Sequence, residues 1–170
     1  SIALAFIFVF MVTFFIFRSA LGGFYAILPL VLTVVANFAT MWLLGWNITT
    51  GTMLVASISI GIGVDYTIHF LERYKIQLRN GDDLVEAYIN TLATSGKAII
   101  INALSVSFGF LVLMASDFVS NIAMGILMAG TMLYSAMGAL MMLPAIIIIF
   151  RPKFIQIALN NSIQNSKTNN

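Results

Sequence analysis

The 170-residue sequence contains no cysteine and a single histidine, and only 8% of its residues are charged. Each shortage removes a class of protein. Without cysteine no disulfide can form, and one histidine offers no thiolate or imidazole set for a metal. No glycine-rich phosphate loop is present, so nothing supports a nucleotide or nucleic-acid site, and no cofactor or metal is expected. Soluble domains carry about 25% charged residues. A chain with so few charges and 61% apolar residues is built for lipid.

Five nearly uncharged runs stand out: Ile2–Phe17, Phe24–Trp46, Met53–Phe70, Ala98–Ala115 and Ile122–Phe150. Most approach the ~17–25 residues that cross a hydrocarbon core. The sequence therefore predicts an all-α membrane protein with five transmembrane helices, over about 1–17, 24–46, 52–72, 97–116 and 121–150. The first run lacks an initiator Met and a basic segment before it, unlike a signal peptide, and the chain is expected to be the C-terminal part of something larger. Arg18, Arg73, Lys75, Arg79, Lys97, Arg151, Lys153 and Lys167 all thread to one side of these helices, whereas the opposite loops, "GWNITTG" and "SDFVS", contain no basic residue. The positive-inside rule places that side, with the C-terminus, in the cytoplasm.

Between the third and fourth spans, residues 82–95 predict a short amphipathic helix on the cytoplasmic surface. Asp83 is its candidate N-cap, with Glu86 completing a capping box. Leu84, Ala87, Tyr88, Thr91 and Leu92 share one side, and Gly96 is placed to end it. The segment 152–170 reads as a polar, disordered cytoplasmic tail.

The third span carries the one acid that lies deep in an apolar run, Asp65. Ionised, it costs about 2.5–3.5 kcal/mol near a bilayer centre, and low-dielectric surroundings favour the neutral carboxyl. Such a group can take up and release a proton, which makes Asp65 a candidate proton carrier. Ser57, Gly61 and Asp65 follow one another at i, i+4 and i+8, with Ile68, His69 and Glu72 continuing that side. Ser57, Gly61 and Gly63 are expected to pack against a closely approaching neighbouring helix, with Gly109 doing the same on the fourth span. His69, one turn nearer the cytoplasm, is a candidate relay between Asp65 and water. Thr33, Asn37 and Thr40 form a polar stripe on the second span, Asn102, Ser105 and Gly109 on the fourth, and Thr131, Ser135 and Gly138 on the fifth. Polar residues in a span either join helices or line a water path, and joining helices is the expected role of most of these. Asn102 is the exception, because its amide could reach the depth of Asp65. Pro29 and Pro144 are expected to bend or end helices.

The stretch "GIGVDYTIHFLERY" resembles the fourth-helix signature, and its second-half repeat, of resistance-nodulation-division (RND) transporters. It is closest to the MMPL-type and "predicted exporter" branches, relatives of the sterol-sensing (SSD) and Patched-like proteins. "EAYINTLATSGKAIIINALSVSFGFLVLMASDF" is similar to the family's surface helix and next span, and "MGILMAGTMLYSAMGALMMLPAII" to its last span. The resemblance implies that residues 1–151 form one transmembrane domain of an RND-type bundle, corresponding to helices eight to twelve or to helices two to six. It further implies a missing half with large extracytoplasmic domains, in a bacterial inner membrane. By carry-over, Asp65 would be the proton acceptor and Tyr66 its hydrogen-bonding companion. The sterol-sensing and Patched branch has two adjacent acids where this chain has Asp65-Tyr66.

The expected function is thus part of a proton-driven exporter of lipids or other hydrophobic molecules, with protons, membrane lipids and the missing half as partners and a homo-oligomer left open. The alternative is a non-catalytic domain that senses lipid or sterol, or assists protein export. An intramembrane aspartyl protease needs two carboxylates, and no other span here contains Asp or Glu. The chain is not expected to be an enzyme.

Overall fold

The structure, a computed structural model, describes residues 2–17 and 20–150. They form α1 (Ile2–Phe17), α2 (Ala20–Leu43), α3 (Thr50–Arg79), α4 (Leu84–Thr91), α5 (Lys97–Leu111), α6 (Val119–Met137) and α7 (Leu143–Phe150), with no strand among the described residues. π-helical turns join α4 to α5 (Leu92–Gly96) and α6 to α7 (Gly138–Met142), and a 3-10 turn (Val112–Ala115) extends α5. Four continuous stretches are long and apolar enough to cross a membrane: Ala26–Leu43, Gly51–Arg79, Leu84–Ala115 and Val119–Ile149. A shorter apolar helix covers Phe6–Phe15. The architecture is an all-α membrane bundle. The polar tail, and the basic residues Arg18, Arg151, Lys153 and Lys167, lie outside the described residues.

α3 and α6 are central. α3 packs against α1, α2 and α6, while α5 leans chiefly on α6. Val9 of α1 meets Leu30 and Val34 of α2 and Ile60 and Val64 of α3 in one apolar cluster. A larger cluster runs from Tyr66, Phe70, Tyr74 and Leu78 of α3 to Leu84 and Ala87 of α4, Ala103 of α5 and Met132 and Ala136 of α6.

Three boundaries differ from expectation. α3 runs on to Arg79 rather than stopping near residue 72. Its buried side simply continues, because Tyr74 and Leu78 are fully enclosed and the Tyr74 hydroxyl donates to the Leu84 carbonyl at 3.0 Å. The amphipathic helix is not a separate piece. Gly96 keeps right-handed helical geometry (φ −60°), and a Cβ on it would lie 3.3 Å from Leu92 Cγ. That glycine serves close packing inside a π-turn, not a left-handed stop. Finally, Asp83 sits at the N-cap, but its side chain makes no capping bond. The reciprocal box forms instead at the start of α3, between Thr49 and Thr52. Asp82 is the acid used near α4, accepting from the Asn90 amide at 2.7 Å.

Pro144 explains the second π-turn in part. Proline has no N–H to bond the carbonyl four residues back, which here belongs to Leu140. The Tyr88 hydroxyl of α4 donates to that Leu140 carbonyl at 3.4 Å. Tyr88→Phe is therefore expected to lower stability by about 1 kcal/mol, read as a fall in the unfolding midpoint of the detergent-purified protein. In a Pro144→Ala background, where an amide can serve Leu140 again, the same change should cost much less. An equal loss in both backgrounds would show that the hydroxyl does not act through this carbonyl.

Candidate functional site

Two polar stripes run along α3 at the same spacing. One is Ser57, Gly61 and Asp65, and the other is Ser59, Gly63 and Thr67. Two residues apart, they lie roughly 200° from each other around the helix. The structure buries the second and leaves the first open.

On the buried side, Ser59 and Thr131 sit 2.8 Å apart, oxygen to oxygen, and the Asn37 amide donates to both, at 3.3 and 2.7 Å. The two hydroxyls have two hydrogens for three acceptors, each other and the carbonyls four residues back, Val55 and Leu127 respectively, and both oxygens can accept from Asn37. One turn along, the Ser135 hydroxyl donates to the Gly63 carbonyl at 3.0 Å. A Cβ on Gly63 would stand 2.8 Å from Leu30 Cδ2 and 3.1 Å from Ser135 Oγ. These bonds pin α2, α3 and α6 together, as expected for the stripes on the second and fifth spans.

Gly63 is thus a close-approach glycine of α3, and Gly61 is not: a Cβ there meets nothing within 4 Å, and the same holds for Gly109 on α5. Ser57 likewise reaches no other helix and donates to the Met53 carbonyl of its own turn. On α5 the packing hydroxyl is Ser107, which donates to the Ala129 carbonyl at 3.0 Å, while Asn102 and Ser105 face outward.

Asp65 therefore stands on the uncovered face of α3, exposed, with His69 one turn along and also exposed. It borders a groove of about 360 Å³ between α3 and the continuous α4–α5 helix, lined by Asp65, Tyr66 and His69 on one side and Ser95, Ala98, Ile99 and Asn102 on the other. The four expected relay residues, Asp65, Tyr66, His69 and Asn102, come together in this one groove. Tyr66 does so differently from expectation. Its ring is buried and its hydroxyl donates to Met132 Sδ at 3.7 Å, rather than to the neighbouring carboxylate. Adjacent helical positions point about 100° apart, so Tyr66 faces the core while Asp65 faces the groove.

At the basic end, Arg73 Nε donates to Thr94 Oγ1 at 3.3 Å and ties α3 to the π-turn. Ser95 is a groove residue that the sequence reading missed. It is separated from Asn102 by seven residues, two helical turns, a signal hidden by treating Gly96 as a helix end. Among the described residues, no group of three His, Cys, Asp or Glu side chains could hold a metal ion.

Comparison with known proteins agrees with the helical pattern. The family model described as MMPL matches residues 1–156. A Methanocaldococcus jannaschii protein whose name says only that it is a membrane protein is 27% identical over 133 residues, covering 78% of this chain and 34% of the relative. A similarly named protein of Bacillus subtilis is 34% identical over 101 residues, covering 56% and 11%. A mycolic acid-containing lipids exporter of Mycolicibacterium smegmatis is 34% identical over 87 residues, covering 48% and 9%. The chain thus spans about a third or less of the length of these curated relatives. No solved structure matches it.

Proposed function

Because this chain belongs to the MMPL family, we propose that it forms part of a proton-driven membrane exporter of lipids or other hydrophobic molecules, with Asp65 as the proton-carrying group. One observation carries the reading. The one acid deep in a span is turned away from this chain's core, into a groove that it shares with His69, Ser95 and Asn102.

The chemistry follows from the two states of the carboxyl. Neutral, Asp65 lets the open face of α3 pack against an apolar neighbour. Ionised, it demands water or donors, and the groove supplies the Asn102 amide, the Ser95 hydroxyl and the His69 ring on the side toward the basic end. The cost of a charge at membrane depth, about 2.5–3.5 kcal/mol, corresponds to roughly a hundredfold shift between two packings. That is enough to drive a conformational step. His69 would pass the proton toward water. Gly61, without a side chain, keeps the turn next to Asp65 flat for the segment that covers it, which in this reading comes from the rest of the longer protein. The groove lies near the end bearing Arg73 and Lys97, which in this reading faces the cytoplasm by the positive-inside rule, in a bacterial inner membrane.

The family's exporter member supports a lipid-like substrate and transport rather than catalysis. The reading is tested by reconstituting the full-length protein with a total lipid extract and a trapped pH-sensitive dye. An imposed proton gradient should drive net lipid movement and accompanying proton entry, and a protonophore should stop the lipid movement. Lipid binding without gradient-driven movement would favour a sensor instead.

A further inference from the structure

We propose that a second groove, between α5 and α6 at the basic end of the bundle, holds one acyl chain of an anionic phospholipid, with the headgroup at Lys97. This inference rests on the membrane-spanning architecture and not on the transport reading.

The groove has a volume of about 450 Å³. Its floor is made of two buried small residues, Ala103 and Ala136, where α5 and α6 cross. Ile100 and Leu104 form one wall and Met137 and Met141 the other, all of them exposed. Along α6 it extends for roughly two helical turns, about 12 Å. That shape is long, narrow and apolar, and it suits a hydrocarbon chain.

The end nearest α4 is closed by parts of both π-turns: Leu92 from one and Leu140 from the other, with Tyr88 beside them. Single π-turns inside helices occur frequently at functional sites. Here Tyr88 spends its hydroxyl on the Leu140 carbonyl, so the one polar side chain at this end has its hydrogen taken. A polar occupant would find no side-chain donor among the lining residues, and only the Tyr88 oxygen as a side-chain acceptor.

Apolar fit by itself gives no preference over bulk lipid, because the surrounding tails are as apolar as the groove. Charge supplies the selection. Lys97 is exposed and lies one turn before Ile100 on the same side of α5, just outside the lining and beside the closed end. A chain with its headgroup there enters the groove from the exposed side between Ile100 and Met141. Long basic side chains at helix ends extend toward the headgroup layer. One lysine near the membrane surface favours an anionic lipid roughly fivefold.

The test uses the full-length protein in nanodiscs with two phospholipids carrying a photoreactive group on the acyl chain, a phosphatidylglycerol and a phosphatidylcholine, followed by peptide mapping of the labelled sites. Labelling at Leu104 and Met137 should exceed that at Phe108 and Val112, two exposed residues elsewhere on this helical stretch. The phosphatidylglycerol probe should label the groove roughly fivefold more than the phosphatidylcholine probe. Lys97→Gln should bring that ratio close to one, and Leu104→Trp should remove groove labelling with both probes while sparing Phe108 and Val112. Groove labelling no higher than at Phe108 would overturn the proposal, whether bulk lipid or a protein helix fills the space. A probe ratio indifferent to Lys97→Gln would overturn it as well.

Discussion

Asp65→Asn in the full-length protein is expected to reduce gradient-driven export to the level of a strain lacking the gene, with the protein still inserted and folded. Asparagine matches the carboxyl in shape and keeps a polar group in the groove, but it cannot gain or lose a proton. If the step depends on alternating neutral and charged forms, no other acid of these helices replaces it, because Glu72 and Glu86 stand outside the groove that Asp65 lines. The folded state should be little affected, since Asp65 is exposed on α3 and anchors none of the core clusters. Mass spectrometry of lipids at the cell surface, with membrane fractionation as the control for insertion, reads both effects. Asp65→Glu should retain part of the activity, as a titratable group one methylene longer. Export undiminished in Asp65→Asn would remove Asp65 from the mechanism.

Gly125→Ala should produce the largest stability loss of any glycine-to-alanine change on α5 and α6. A Cβ at Gly125 would fall 2.7 Å from the Phe110 carbonyl oxygen and 2.9 Å from Leu113 Cβ. The first of these is backbone, which cannot swing aside as a side-chain end can, so α5 and α6 would have to separate. Overpacking of this kind typically costs about 1–3 kcal/mol, enough to lower the unfolding midpoint by several degrees. Gly109→Ala provides the contrast. Nothing lies within 4 Å of a Cβ there, and alanine gains up to ~1 kcal/mol of helix propensity over glycine. Thermal unfolding of the two variants in the same detergent should therefore show shifts of opposite sign. Equal midpoints would mean that the α5–α6 crossing is looser than the geometry at Gly125 describes.

Much of the fold was legible because the membrane makes strong demands on a sequence. Long uncharged runs announced the spans, and short polar breaks between them marked the turns. What the runs did not show is where a helix ends once it leaves the apolar region. α3 continues to Arg79 because Tyr74 and Leu78 have partners on α4, which lies later in the chain. Gly96 read as a terminator because glycine often stops helices, yet here its missing side chain admits Leu92 and Leu140. A local rule cannot distinguish these two uses, since both call for glycine.

The candidate site divides in the same way. Helical spacing by itself placed Asp65, Gly61 and His69 on one side of α3, and nominated Asn102 from a different span as the residue at Asp65's depth. Both features are present in the structure, with Asp65, His69 and Asn102 around one groove. Spacing could not determine which side of α3 is buried. In a soluble helix the polar face identifies water and the apolar face the core. Within a bilayer both core and lipid are apolar, so that contrast disappears, and small or polar residues mark packing seams and open grooves alike. Ser57-Gly61-Asp65 and Ser59-Gly63-Thr67 are equivalent as sequence patterns. Only the partners brought by other helices, Leu30 from α2 and Thr131 and Ser135 from α6, decided that Gly63 is packed and Asp65 is free to meet what lies outside.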